Sequence, residues 1–198
     1  MAGLIPASAH GGQPAGQGRA RGGISDGAAE GNVRSELLGT GALWAAFAAA
    51  LVISVRDPCH RARAHGALPM FLLTLALQCL HFAEEFWTGF QRRFPERLGL
   101  APWTDTFFVT FNTAWLCLWL LAAAAISAGL PSRLAAAAVW FLAFAAVGNG
   151  IAHPALAILA GGYFPGLLTA PFLGLAGSVL LVRLMRMRRS SSISGTSV

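Results

Sequence analysis

Residues 67–87 read ALPMFLLTLALQCLHFAEEFW. A helix rises 1.5 Å per residue, so about 20 predominantly apolar residues cross the hydrocarbon of a bilayer. This stretch has that length and composition, which predicts a transmembrane helix. It also ends in His81, Glu84 and Glu85. A charged side chain near the middle of a membrane helix costs about 2.5 kcal/mol or more, so it needs a partner, a proton, a metal or water. Residues three and four apart lie on one helical face. The spacing therefore turns Glu84 and Glu85 to the same side as His81, with Gln78 one turn below. Two neighbouring carboxylates in a low-dielectric site do not both ionise unaided: one holds a proton, or a cation neutralises them. The pair is a candidate proton-transfer group or metal ligand set.

Working outward, four further apolar segments are expected as helices, from about Leu37 to Val55, Phe107 to Ser127, Leu134 to Leu159 and Leu167 to Leu184. The chain has 198 residues, of which 56% are hydrophobic and 11% charged, against about 25% charged in a soluble domain. Its mean hydropathy is +0.61. The expected fold is all-α, a polytopic membrane bundle of about five transmembrane helices over residues 36–189. Residues 1–35, rich in Gly and Ala, read as a disordered tail without a signal peptide, and Ser-rich residues 190–198 as a second tail. The longest connection, Thr88 to Thr106, contains Pro95 and Pro102 and reads as a loop.

All 14 basic residues are arginine. They sit between or just after apolar runs, where they set membrane orientation, so a nucleic-acid partner is not expected. Eight lie on the side of the first loop and the C-terminus and six on the other. The positive-inside rule then places the C-terminus in the cytoplasm, and the composition, which reads as GC-rich coding, fits a bacterial plasma membrane. Arg183, Arg186, Arg188 and Arg189 read as an anchor on anionic headgroups. Cys59, Cys79 and Cys117 have no CxxC spacing, so neither a disulfide framework nor a zinc–cysteine site is expected.

The other helices carry polar residues too. Asn112 lies early in the third segment, and Asn149 and His153 share a face late in the fourth. If consecutive helices are antiparallel, Glu84 lies roughly 25 Å along its helix and Asn112 under about 10 Å into the next, from the same side. Asn149 and His153 fall near that side as well, and Tyr163 and Thr169 at or just inside it. The costly polar groups thus gather in one half of the bilayer and point to a single site. Helix–helix hydrogen bonding is the competing role for Asn112, Asn149 and His153. Tyr163 reads as an interfacial aromatic anchor, and Pro165-Gly166 as a turn.

The ordered set of His81-Phe82-Ala83-Glu84-Glu85, Asn112, Asn149 with His153, and Tyr163-Phe164-Pro165-Gly166-Leu167 with Thr169 resembles the HXXEE domain family. The resemblance covers roughly residues 67–185. It implies a protein integral to the membrane and leaves the biochemical function open.

The chemistry of the residues favours a membrane-embedded enzyme. His81, His153 and one of Glu84 or Glu85 suit a divalent metal such as zinc or iron. The other glutamate would act as general base, and Asn112 or Asn149 would orient a lipid or other apolar substrate. A metal-free proton shuttle between carboxylic acid and His is a variant of the same reading. A proton-coupled carrier and a non-catalytic scaffold subunit are the alternatives. No inverted repeat is visible for a carrier, although a homo-oligomer could supply a second half. Neither a GxGxxG after a strand pattern nor a Walker motif occurs, so soluble nucleotide cofactors are not expected. The expected partners are membrane lipids.

Overall fold

A computed structural model of the chain describes residues 20–57, 60–130 and 132–194. Local sequence sets the helix ends. Thr104 accepts from the backbone N–H of Phe107 at 3.0 Å and Ser132 from that of Ala135 at 3.1 Å, so each satisfies an orphan donor at a helix start. Asp105 adds a negative charge in the first turn that Thr104 opens. Gly161, at φ 71°, closes the helix before it in the left-handed conformation that glycine adopts without strain. The elements are α1 (Ala20–Val55), α2 (His60–Thr88), α3 (Phe90–Arg97), α4 (Asp105–Ser127), α5 (Arg133–Ala160) and α6 (Ala170–Ser194). There is no strand among the described residues.

All but α3 are long and apolar enough to cross a membrane. α5 sits at the centre, packed against α1, α2, α4 and α6. Its alanines, buried at 135–138, 143, 145 and 146, let four neighbours approach, while Trp140, Phe141 and Leu142 fill the space between them. Trp115 and Trp119 of α4 pack against Phe141 with tilted rings, and Phe47 of α1 meets it edge to face. The outward faces are apolar: Leu121 is 70% exposed and Ile158 80%. In water such a belt would aggregate, whereas lipid solvates it. At the end of the bundle away from His81, Arg63 grips Asp57 with two hydrogen bonds of 2.6 Å, and both are buried.

α5 and α6 come closest at glycines. A Cβ built on Gly150 would lie 2.5 Å from the Cα of Gly174, and one on Gly177 would lie 2.5 Å from the Cβ of Ala146. Small residues of this kind let membrane helices meet backbone to backbone. Gly150→Leu is therefore expected to lower stability by at least the ~1–3 kcal/mol typical of overpacking. Scanning fluorimetry in detergent checks this. Gly148→Ala serves as the silent control, because a Cβ there has nothing within 4 Å.

The structure departs from the sequence expectations at three places. α1 begins at Ala20, so part of the expected 1–35 tail is helical, while residues 1–19 lie outside the described residues. The span of membrane length and apolarity starts at Glu30. Extending a formed helix costs far less than nucleating one, so the helix continues past its apolar segment. For the same reason α6 runs on to Ser194, into the expected 190–198 tail, of which 195–198 lie outside the described residues. The expected loop Thr88–Thr106 contains α3, which buries Gln91 and Pro95 and turns Arg92, Arg93 and Arg97 outward. Cys59 lies outside the described residues, and Cys79 and Cys117 are free.

Candidate metal centre

α2 and α5 are neighbours and bring their histidines together. His81 and His153 are 0% and 2% exposed, and their Nε2 atoms lie 3.2 Å apart. Glu85 Oε1 sits 3.2 Å from His153 Nε2 and 3.6 Å from His81 Nε2. Tetrahedral zinc with bonds of about 2.0–2.1 Å sets its ligand atoms about 3.3 Å apart. The three edges of the triangle match that spacing. Among the described residues this is the group of His, Cys, Asp and Glu side chains whose ligand atoms converge closely enough to hold a metal.

The outer nitrogens fix what the inner ones offer. His153 Nδ1 is 2.6 Å from the carbonyl of Pro165, which can only accept, so Nδ1 carries the proton. His81 Nδ1 is 2.8 Å from Thr169 Oγ1, whose own proton goes to Glu84 Oε2 at 2.6 Å. Thr169 therefore accepts from His81, and that Nδ1 is also protonated. In the neutral imidazoles both Nε2 atoms then present lone pairs, and the Glu85 carboxylate adds a third acceptor. Three acceptors converge on one buried point with no donor among them. Such an arrangement is stable only around a cation: a metal ion or added protons.

Glu84 does not join this group. Its Oε1 accepts from the Tyr163 hydroxyl at 2.7 Å and the Leu168 N–H at 3.0 Å. Its Oε2 accepts from the Thr169 N–H at 2.8 Å as well as from the Thr169 hydroxyl. With four donors on two oxygens, this carboxylate is a clamp on the segment between α5 and α6, and its free lone pairs are used up. The expected pair of equivalent glutamates is thus divided: Glu85 faces the histidines, and Glu84 holds the turn that orients His81. Burial, and after it the hydrogen bond to Glu84, push the Tyr163 phenol above its usual pKa, so Tyr163 stays a donor to that carboxylate.

The turn does more than connect helices. Gly166 has φ 86°, and a Cβ there would lie 2.5 Å from His153 Cε1 and Nδ1 and 2.9 Å from His81 Cε1. The bare backbone of Gly166 therefore packs directly on both imidazoles. Phe164 is buried beneath Arg93, whose guanidinium lies 5.4 Å from the ring centre. Arg93 and Arg97 of α3 donate to the carbonyls of Tyr163 and Leu159, each at 3.2 Å, tying α3 across this end of the bundle. The sequence reading counted Thr169 among the polar groups of the site, whereas the carbonyl of Pro165 is the part that it left as turn chemistry.

Glu85 and His153 line a cavity of about 240 Å³ that runs into the bundle between α1, α2, α4 and α5. Gln78, Asn112 and Asn149 line the same cavity. Among the described residues neither asparagine hydrogen-bonds a histidine: Asn112 donates to the Phe108 carbonyl at 2.9 Å, and Asn149 makes no side-chain hydrogen bond. Gln78 is 6% exposed and its Oε1 has no partner among the described residues. The rest of the wall is aromatic and aliphatic, and the Phe90 ring centre lies 5.3 Å from that of His153.

The family described as "Protein of unknown function with HXXEE motif" matches residues 72–181, which is more than half of the chain and spans every residue of the site. No curated protein and no solved structure matches significantly.

Proposed function

The chain belongs to the HXXEE-motif family, whose function is unknown, and from its site we propose that it is a membrane-spanning metalloenzyme acting on a lipid or another apolar molecule. His81, Glu85 and His153 hold a divalent ion, zinc or iron. One observation carries this reading: the Nε2 lone pairs of two histidines and a carboxylate oxygen meet at 3.2 to 3.6 Å, while each outer ring nitrogen is already committed as a donor. Two histidines and one carboxylate are a ligand set of catalytic zinc sites, which keep one position for water or substrate. Such an ion lowers the pKa of bound water or polarises a carbonyl.

The chain's own residues supply the surroundings. The Glu84 carboxylate, acting through the Thr169 hydroxyl, and the Pro165 carbonyl keep both imidazoles in the tautomer that presents Nε2. Asn112, Asn149 and Gln78 offer uncharged hydrogen-bonding groups in the cavity that Glu85 and His153 border. The general base sought in the second glutamate is not Glu84, whose lone pairs are engaged.

Metal analysis of protein purified in mild detergent tests the reading. The expected content is close to one equivalent of zinc or iron in the wild type and none in Glu85→Gln. Metal-free wild type that takes up no ion on titration would sink it. The histidines would then share protons with Glu85, as their 3.2 Å contact allows, and a proton-coupled carrier becomes the better reading. A graded prediction accompanies this test. Thr169→Val removes the acceptor from His81 Nδ1 and leaves the ligands, so zinc affinity falls about 10–100-fold, as losing a partner behind a metal ligand does. Competition against a chromophoric chelator measures it.

A further inference from the structure

The cavity beside the centre is walled by aromatic side chains on several sides and by small residues where α1 faces α5. Toward the headgroups it is covered by Phe90 and Phe94 of α3 and by Trp103, against which α1 packs so closely that a Cβ on Gly39 would strike the indole. Between α1 and α4 lies Trp44, whose ring centre is 6.2 Å from Phe111 and 5.1 Å from Trp115. Between α2 and α4 Phe82 packs on Phe108. Farther along the bundle α1 meets α5 at Phe47 and Phe141. Above that contact the two helices face each other with small, exposed residues: Ala42 on α1, and Gly148 and Ala152 on α5. A Cβ on Gly148 would enter open space.

Among the described residues no arginine lines the cavity. The nearby α3 arginines are spoken for, Arg93 and Arg97 by backbone carbonyls and Arg92 by Asp105. The polar groups of the lining residues besides Glu85 and His153 are uncharged: the amides of Gln78, Asn112 and Asn149, the hydroxyl of Thr40 and the indole N–H groups of Trp103, Trp115 and Trp119. The Gln78 oxygen and the three indole N–H groups are buried without a partner among the described residues, so the lining has unmet polar contacts to offer. A volume of about 240 Å³ holds about eight groups of the size of a water molecule or a methylene, at ~30 Å³ each.

We propose that a neutral, oxygen-bearing lipid enters this cavity sideways from the bilayer through a gap between the small residues of α1 and α5. Its uncharged polar group lies among Gln78, Asn112 and Asn149 beside Glu85 and His153, and the first carbons of its chain fill the rest of the cavity against the aromatic wall. This deepens the metalloenzyme reading by naming the substrate class, and it rests on that reading only for the chemistry done there. A phospholipid headgroup is a poor occupant of the cavity itself, because no arginine among the described residues lines it.

Brominated alkyl probes test this in nanodiscs, since bromine quenches nearby tryptophan and Trp103, Trp115 and Trp119 line the cavity. The probes are 8-bromooctanamide and 8-bromooctanesulfonate. The neutral amide is expected to quench saturably, with the sulfonate at least tenfold weaker. Gly148→Leu, which fills the gap, and Ala152→Leu, on the same rim, are each expected to weaken the amide at least tenfold. Non-saturable quenching by the amide, equal binding of the sulfonate, or unchanged affinity in both variants would overturn the proposal. Metal content is read on the same samples. Saturable, gap-dependent binding to protein that neither holds nor takes up metal would leave the lateral site standing and remove the metalloenzyme reading. Metal-loaded protein without such binding would do the reverse.

Discussion

His153→Ala is expected to abolish metal retention, with affinity falling by more than the 10–100-fold that follows loss of a supporting partner. Three effects act together. The group loses one of its three ligand atoms. The Pro165 carbonyl loses the donor that approached it at 2.6 Å and is left buried without it. Phe90, whose ring centre lies 5.3 Å from the imidazole, and Gly166, which packs on it, lose their contact, so the truncation opens a hole between α3, α5 and the turn. Equilibrium dialysis against zinc, with His60→Ala as the control, measures the effect. His60 hydrogen-bonds Asp57 at the opposite end of the bundle, and its replacement should leave the metal unchanged.

Gly166→Ala is expected to cost nearly as much metal affinity although it touches no ligand atom. A methyl group at φ 86° carries the left-handed penalty of about 1–2 kcal/mol for an L-residue. It also falls 2.5 Å from His153 and 2.9 Å from His81, so the rings or the turn must move. The turn is held from below by the four hydrogen bonds to Glu84, which leaves the imidazoles to give way. The expected result is a metal affinity at least tenfold lower with the helices intact. Circular dichroism alongside chelator competition checks both halves. An unchanged affinity would mean that the turn does not position the histidines. Gly161→Ala separates strain from contact: it also has a positive φ, of 71°, but open space around its Cβ.

The five long helices are legible in the sequence because lipid imposes a simple rule, a length of apolar residues with no periodicity to find. The gathering of His81, Glu84, Glu85, Asn149 and His153 at one end is legible for a related reason: antiparallel helices of fixed rise convert residue number into depth. Depth is only one coordinate. Adjacent residues on a helix diverge by about 100° around the axis, so spacing alone gives Glu84 and Glu85 the same histidine neighbour. The packing of α2 between α5 and α6 decides that Glu85 turns to the histidines and Glu84 to the turn. α3 stayed hidden because Arg92, Arg93, Pro95, Glu96 and Arg97 read as loop chemistry, and its amphipathic face is only eight residues long. Gly166 reads as a turn glycine in either case, since its contact with the imidazoles comes from residues far away in the chain.

X-ray absorption at the zinc edge of the loaded, detergent-purified protein puts the central claim to the most direct test. The account predicts two imidazole nitrogens and light-atom scatterers only, at about 2.0–2.2 Å, with no sulfur, and loss of one imidazole in His81→Ala. A spectrum with fewer than two imidazoles in the wild type, or one unchanged in His81→Ala, would place the metal elsewhere and contradict it.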